Sequence, residues 1–306
     1  MPGASGWWRL ELACPLELEE SLLWKLEDLG NARVAVGHRP ESPHQRQLVA
    51  WLPAADWPEL ERQQLEQALV PLAEPFDLEF PPITWIQQDD EDWSLSWKRH
   101  WQPDPVGRTL LILPLWLELP AAHADRLVIR MDPGSAFGTG SHPTTRLCLE
   151  AIEALADQAG GCLGPIRVAD LGCGSGILGL AALLQGADRV AAVDTDRLAV
   201  RATQANAGLA GCGDRLRVGL GSVQTLAALL EGQPADLLLC NILAPVIQAL
   251  APSFSTLLSS AGVGLLSGLL VDQAASLEQV LLAQGWRAEL TAQQSQWGLM
   301  TIRRVA

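Results

Sequence analysis

Several absences exclude large classes of protein before any motif is considered. No uninterrupted apolar run among the 306 residues approaches the roughly 20 positions that a membrane-spanning helix needs. The first residues show no basic region followed by an apolar block, so we expect no secretory signal. The five histidines show no metal-ligand spacing, and no C-x-x-C pair occurs among the six cysteines, at positions 14, 148, 162, 173, 212 and 240. The sequence therefore predicts neither a metal site nor a disulfide framework, and it suits a reducing cytoplasm.

Positive charge is also scarce, with 21 lysines and arginines against 35 acidic residues and a formal net charge of −14. Tight, unaided binding to nucleic acid depends on many contacts between basic side chains and phosphates, so we expect none here. A basic protein is a compatible partner, although the same charge would also serve solubility alone. The composition leaves the oligomeric state open.

A glycine-rich turn within residues 166–178 organises the second half of the chain. The pattern predicts a short strand, an acid at Asp170, three glycines spaced by single residues, and the start of a helix. We expect such a turn to leave backbone N–H groups free and to let a ligand approach the main chain at Gly172 and Gly174. A second predicted strand delivers Asp194, and a carboxylate in that position suits the two hydroxyls of an adenosine ribose.

The spacing of the glycines distinguishes between nucleotide ligands. Dinucleotide sites carry G-x-G-x-x-G, whereas this turn has the pattern G-x-G-x-G, and Asp170 would repel a pyrophosphate. Both features favour a nucleoside that has no phosphate and carries positive charge, namely S-adenosyl-L-methionine (SAM). They disfavour a nicotinamide dehydrogenase. The alternative is a glycine-rich turn in an ordinary α/β sheet, which does not account for the placement of Asp194.

Residues 1–87 show the element order β-α-β-β-α-β, which predicts a small ferredoxin-like α+β domain. Apolar residues at helical spacing predict two helices, over 16–29 and 57–72. The predicted strands cover 7–13, 32–36, 47–52 and 76–80, with a polar loop over 37–46. Nothing in this region resembles a catalytic site, so we interpret it as a substrate-recognition or packing domain.

Residues 88–105 separate this domain from the rest of the chain. Two prolines close the first domain, and a polar, acidic stretch follows them. Trp93, Trp97 and Trp101 then recur every four residues, which places them on one face of a short helix. We interpret this segment as a linker helix that packs on the second domain.

Residues 106–306 alternate strands with helices and end in a hairpin, which predicts a Rossmann-like α/β domain with a seven-stranded sheet. Asn241 follows a buried strand over 235–240, so it falls beyond the carboxyl end of the sheet, where ligands of such folds bind. The loop over 132–146 combines glycines with hydroxyl side chains and leads into a helix over 147–156. We expect this loop to act as a lid over the ligand.

Three motifs resemble those of the PrmA-type ribosomal protein methyltransferases. They are F-G-T-G-S-H-P-T-T at 137–145, D-L-G-C-G-S-G at 170–176 and N-I-L-A at 241–244. The resemblance extends from about residue 93 to the C-terminus and implies a SAM-dependent methyltransferase domain. It further implies methylation of lysine side-chain and N-terminal amines of the large-subunit ribosomal protein L-eleven (L11). By motif position, it implies cofactor contacts at Thr145, Gly172, Asp194 and Asn241.

The candidate cofactor site thus comprises six residues, with Asn241 also the candidate catalytic residue: Thr145, Asp170, Gly172, Gly174, Asp194 and Asn241. The Asn241 amide oxygen would orient the lone pair of a neutral amine toward the methyl group, and we assign no obligatory general base. His142 would relay a proton or, in the interpretation we prefer, stabilise its loop.

Two other functions remain open from the residues. One is a SAM-dependent methyltransferase of another protein, of a nucleic-acid amino group or of a small-molecule amine. Enzymes that act on an amide or adenine amino group typically carry Asn/Asp-Pro-Pro-Tyr at the position of Asn241. Ile242 and Leu243 follow here, and the chain contains no tyrosine that could stack on a base. A non-catalytic SAM-binding scaffold would have no use for the lid, the turn, the ribose acid and Asn241 together.

Overall fold

The chain divides into two compact units, Met1–Gln102 and Pro103–Ala306. A computed structural model describes residues 6–29, 34–39, 42–88, 101–132 and 140–305. The predicted lid over 132–146 therefore lies partly outside the described residues, since 133–139 are not covered. No helix within the described ranges is long and apolar enough to cross a membrane.

The first unit has the predicted order β-α-β-β-α-β. Its elements are β1 (Trp7–Ala13), α1 (Leu16–Asp28), β2 (Val34–Arg39), β3 (Ser42–Pro53), α2 (Glu59–Leu69) and β4 (Thr84–Gln88). The strands lie in the order β2-β3-β1-β4, and every neighbouring pair is antiparallel. Leucines from both helices and from β1 and β3 are buried against one another, among them Leu10, Leu22, Leu48 and Leu65. This arrangement is the ferredoxin-like fold that the element order predicts.

Two boundaries in the first unit differ from the predictions. The predicted strand over 76–80 is wrong, because Val70–Phe76 forms a 3-10 turn with Pro75 inside it, and Asp77 adopts a left-handed φ of 53°. The last strand instead begins after Pro81 and Pro82, since proline cannot donate to a strand ladder. The predicted polar loop over 37–46 is largely strand, because β2 and β3 extend toward each other around residues 40–41, which the structure does not describe.

The prediction of a linker helix over 88–105 is wrong at both ends of that range. Gln88 is the last residue of β4, and a short strand, β5 (Asp104–Val106), occupies the other end. Trp101 lies in an irregular segment, whereas Trp93 and Trp97 fall outside the described residues. A helix confined to 89–100 stays a prediction.

The second unit begins with a small sheet of β5, β6 (Leu110–Pro114) and β7 (Leu127–Met131), in that order. The helix α3 (Pro143–Gln158) is attached to the β5–β6 hairpin at two places. The buried Glu153 carboxylate accepts hydrogen bonds from the backbone N–H groups of Arg108 and Thr109. Near the start of the helix, the Arg146 guanidinium lies 2.8 Å from the Asp104 carboxylate. These contacts hold α3 against the hairpin both at its first turn and further along the helix.

A seven-stranded sheet forms the body of the second unit. The elements that complete the unit are β8 (Arg167–Leu171), α4 (Ile177–Leu184), β9 (Arg189–Asp194), α5 (Arg197–Leu209), β10 (Leu216–Leu220), α6 (Val223–Leu229), β11 (Ala235–Asn241), α7 (Ala244–Leu250), α8 (Phe254–Leu257), β12 (Leu258–Leu270), α9 (Ala274–Ala283), β13 (Trp286–Gln294) and β14 (Trp297–Arg304). The strand order is β10-β9-β8-β11-β12-β14-β13, and β14 runs antiparallel to both of its neighbours. This sheet confirms the predicted Rossmann-like α/β fold with its closing hairpin.

The direction of strand order reverses between β8 and β11, which pair in parallel with Asp170 opposite Leu239. In open α/β sheets, ligands bind at such a reversal, beyond the carboxyl ends of the strands. Register brings the ends of the neighbouring strands to the same edge, with Leu171 opposite Val193 and Asn241 opposite Ser267. The fold thus gathers the predicted turn, Asp194 and Asn241 along one edge of the sheet.

Candidate functional site

The glycine turn after β8 is bonded to the end of β9. The backbone N–H groups of Gly172 and Cys173 both donate to the Val193 carbonyl, at 2.9 and 3.0 Å, and Gly176 N–H donates to the Cys173 carbonyl. The expectation that these donors are free for a ligand is therefore wrong. A turn whose N–H groups are already bonded offers a poor site for a phosphate, which strengthens the case for a ligand that has none.

Asp194 lies where the sequence predicts, at the carboxyl end of β9. One carboxylate oxygen accepts a hydrogen bond from the Gly174 N–H at 2.9 Å, and the other accepts one from the Asp196 N–H at 3.0 Å. Each carboxylate oxygen can accept a second hydrogen bond, so acceptors remain for two ribose hydroxyls. Gly174 therefore fixes the ribose acid through its N–H, and a direct contact of Gly174 with the cofactor stays a prediction.

Asp170 is 1% exposed at the end of β8. One carboxyl oxygen accepts a hydrogen bond from the Gly179 N–H of α4 at 3.1 Å, while the other has no hydrogen-bond partner among the residues that the structure describes. Burial, opposed by the Gly179 N–H and assisted by the negative charge of Asp194, raises the pKa of Asp170 to about 7. Its carboxyl is therefore close to half-ionised at neutral pH, and a direct cofactor contact stays a prediction.

Two buried polar side chains of α5 hold the glycine turn from outside. The Thr203 hydroxyl donates to the Gly174 carbonyl at 2.9 Å, and the Asn206 amide donates to the Ser175 carbonyl at 2.9 Å. The Asn206 amide oxygen also accepts a hydrogen bond from the Asp132 N–H, at the base of the predicted lid. Sequence reasoning missed both residues. The available signal was two polar residues on the same face of a helix as Ala199 and Ala202.

The methyl-transfer end of the site brings Asn241 and Thr145 together. The Asn241 side-chain nitrogen lies 3.4 Å from the Thr145 hydroxyl oxygen, and Thr145 is buried in the first turn of α3. With its N–H₂ group directed at Thr145, the amide presents its oxygen elsewhere. Within the described part of the chain, that oxygen accepts no hydrogen bond. The structure thus joins two residues that are 96 positions apart in the sequence.

His142 has a structural role in the described residues. Its Nδ1 accepts a hydrogen bond from the Thr144 N–H and lies 2.8 Å from the Thr144 hydroxyl, so it caps α3. Its ring packs edge-on against Trp297, with 4.8 Å between the ring centroids. These contacts support the interpretation that His142 stabilises the loop and the start of the helix that carries Thr145.

Comparison with known proteins decides the family. The family model described as "Ribosomal protein L11 methyltransferase (PrmA)" matches residues 6–305. The chain belongs to this family. It is 61% identical to the ribosomal protein L11 methyltransferase of Synechococcus sp. (strain RCC307), covering 99% of this chain and 100% of that protein. It is 64% identical to the protein of the same name from Parasynechococcus marenigrum (strain WH8102), over 96% of this chain and 100% of the relative.

A crystal structure of the ribosomal protein L11 methylase from Lactobacillus delbrueckii subsp. bulgaricus is similar, with a TM-score of 0.59 and 31% identity. The similarity covers 67% of this chain and 100% of that one. As a member of the PrmA family, this chain is a SAM-dependent methyltransferase. The site fits SAM, because it offers a carboxylate for the ribose, bonded turn N–H groups that would not favour phosphate, and acidic side chains compatible with a cation.

No cluster of three or more histidine, cysteine or acidic side chains in the described ranges could hold a metal ion. The six cysteines are free thiols, and five of them are buried. Burial raises the pKa values of Cys148, Cys173 and Cys240 above the ordinary thiol value, so these groups are neutral and serve as packing.

We expect Asp170→Asn to remove a pH dependence of stability. The folded pKa of Asp170 is about 7, above the ordinary value of 3.8 for this side chain, so between these values the folded state holds a proton that the unfolded state has lost. The resulting stabilisation is present below about pH 4 and is lost as the pH rises through 7. At 1.36 kcal/mol per unit, the loss is at most about 4 kcal/mol. Denaturant unfolding at several pH values measures it, and Asp214→Asn, which removes an exposed acid, should keep the wild-type slope.

We expect Asp194→Ala to weaken SAM binding by about 1.5–3 kcal/mol, the usual value of hydrogen bonds to a charged group. Asp196 provides a matched control two residues away, because its carboxylate caps α5 through the Leu198 N–H. Asp196→Ala should cost about 1 kcal/mol of stability and leave SAM affinity unchanged. Titration calorimetry measures both affinities, and wild-type affinity in Asp194→Ala would contradict the ribose assignment.

Proposed function

We propose that this protein transfers methyl groups from SAM to lysine side-chain and N-terminal amines of ribosomal protein L11, in the cytoplasm. The observation that carries this proposal is the Asn241–Thr145 pair beside the glycine turn, in a chain of the PrmA family. The names of the relatives support L11 as the substrate. The net charge of −14 favours a basic protein as the partner, free or on the ribosome.

Asn241 orients the nucleophile in this proposal. When bound, SAM supplies an electrophilic methyl group on a sulfonium. An amine must be neutral to attack that methyl, yet at a pKa near 10.4 only on the order of one lysine in a thousand is neutral at pH 7. Desolvation between apolar groups favours the neutral form. The Asn241 oxygen then accepts an amine N–H and directs the lone pair, while Thr145 holds the amide in that orientation.

We further propose that the first unit is the substrate-recognition domain. All candidate cofactor residues lie in the second unit, beyond Asp132. Cofactor binding and methyl transfer therefore require no residue of the first unit. Its residues up to 88 include fourteen acidic and six basic side chains, which suits a basic substrate. An arm that presents the substrate in different poses would let one site accept both a lysine side chain and a chain terminus.

The proposed function is tested with purified L11 and labelled SAM. Wild-type protein should label L11, and Asn241→Ala should lower kcat at least about 100-fold, because a misplaced nucleophile loses most of its alignment. SAM affinity should change less than about threefold. Gln248→Ala, which removes an amide from α7, should keep wild-type kcat. Labelling of nucleic acid or a small amine in an extract, with L11 unlabelled, would instead favour the alternative substrates, and no labelling at all would favour a scaffold.

Removal of residues 1–88 tests the role of the first unit. The chain 89–306 should bind SAM with nearly unchanged affinity, because every candidate cofactor residue is retained. It should lose methylation of intact L11 by at least about 100-fold, or about 2.7 kcal/mol. A short lysine peptide provides the control, since its methylation should change much less. Full-rate methylation of intact L11 by the shortened chain would contradict a substrate-recognition role.

A further inference from the structure

Ile242 lies between two glycines that approach it closely. A Cβ atom on Gly172, which has a φ of 80°, would lie 2.4 Å from the Cγ2 methyl of Ile242. A Cβ atom on Gly268, which has a φ of 81°, would lie 2.3 Å from the Ile242 carbonyl oxygen. Real Cβ atoms do not occur at such distances, so both positions need glycine. One residue thus contacts the turn after β8 with its side chain and the end of β12 with its main chain.

Further contacts restrict the same residue. The Ile242 N–H donates to the Ser267 carbonyl at 3.2 Å, and its half-buried side chain packs against the core of the large sheet. Isoleucine is branched at Cβ, so its χ1 angle is stiff and the Cγ2 methyl cannot easily turn away from Gly172. Since the backbone of Ile242 is fixed on both sides, the position of the preceding residue, Asn241, is fixed with it.

We propose that Ile242 is a positioning residue for methyl transfer, which holds Asn241 at a set distance from the cofactor turn. This inference rests on the proposed function, because it assumes that Asn241 aligns the amine. Ile242 itself touches neither substrate nor cofactor in this scheme. Its side chain acts as a spacer between the Gly172 turn and the Asn241 loop, and Gly268 admits the loop backbone on the other side.

Two substitutions of Ile242 distinguish a positioning role of its side chain from a contribution to core packing alone. Ile242→Val keeps the Cγ2 methyl that faces Gly172, whereas Ile242→Ala removes it. A misplacement of about 1 Å costs on the order of 100-fold in rate, so Ile242→Ala should lower kcat for L11 at least tenfold. Its SAM affinity should stay within about threefold, and Ile242→Val should restore near wild-type kcat. Val280→Ala is the matched control, because Val280 is also half-buried against the same core but lies on α9.

A substitution at Gly268 provides a second kinetic test of the same inference. Gly268→Ala should lower kcat at saturating SAM, because the new methyl pushes on the Ile242 carbonyl. Gly211→Ala is its control, since Gly211 also has a positive φ, of 65°, but has open space where the Cβ would lie. The inference is overturned if Ile242→Ala lowers kcat no more than Val280→Ala does when their melting temperatures fall equally.

The contact with the turn is tested through SAM binding alone. Gly172→Ala should weaken SAM affinity at least tenfold, because its methyl displaces the turn. Ile242→Ala added to it should recover at least threefold, since the nearest remaining Ile242 atom would be Cβ, at 3.9 Å. Ile242→Val added instead should recover nothing, because the clashing methyl is kept. Equal affinities of the two double variants would overturn the inference, and this outcome does not depend on L11 being the substrate.

Discussion

The hydrogen bonds that join the ends of β8 and β9 are the constraint on which the candidate cofactor site depends. Two turn N–H groups bind the Val193 carbonyl, and a third binds the Asp194 carboxylate. These bonds occupy donors that a glycine turn could otherwise offer to a phosphate, and the turn presents a carboxylate instead. A ligand at this turn is therefore bound through hydroxyl groups and positive charge, which SAM supplies without a pyrophosphate.

The site residues that could be predicted from the sequence are those that directly follow or end a recognisable strand. Parallel strands buried on both faces occur as continuous apolar runs, so Asp194 and Asn241 could be placed at the ends of β9 and β11. The bonds of Thr203 and Asn206 to the turn could not be predicted, because they span 29 and 31 residues, and two polar residues on the buried face of α5 do not reveal their partners. The strand predicted over 76–80 was wrong because prolines on both sides outweighed its apolar composition.

Burial of Asp170 raises its pKa and so reduces the negative charge that it carries at neutral pH. An ionised Asp170 would repel pyrophosphate, as the sequence predicts, but burial and the nearby Asp194 raise its pKa to about 7, so the carboxyl is close to half-ionised at neutral pH. The anionic character of the site therefore depends mainly on Asp194, which is half-buried and bonded to two N–H groups. A cationic ligand near both acids would favour ionisation of Asp170, so cofactor charge and this buried carboxyl are coupled.

The small sheet of the second unit fixes the helix α3, which carries Thr145. Thr145 must lie in the first turn of this helix to meet Asn241, and the neighbouring Arg146 binds Asp104 of β5. Further along the helix, Glu153 accepts hydrogen bonds from the backbone N–H groups of the turn between β5 and β6. A helix fixed at two points cannot slide along its axis, so the Thr145 hydroxyl stays within reach of the Asn241 amide. The small sheet thus acts on the methyl-transfer end of the site without contributing a residue to it.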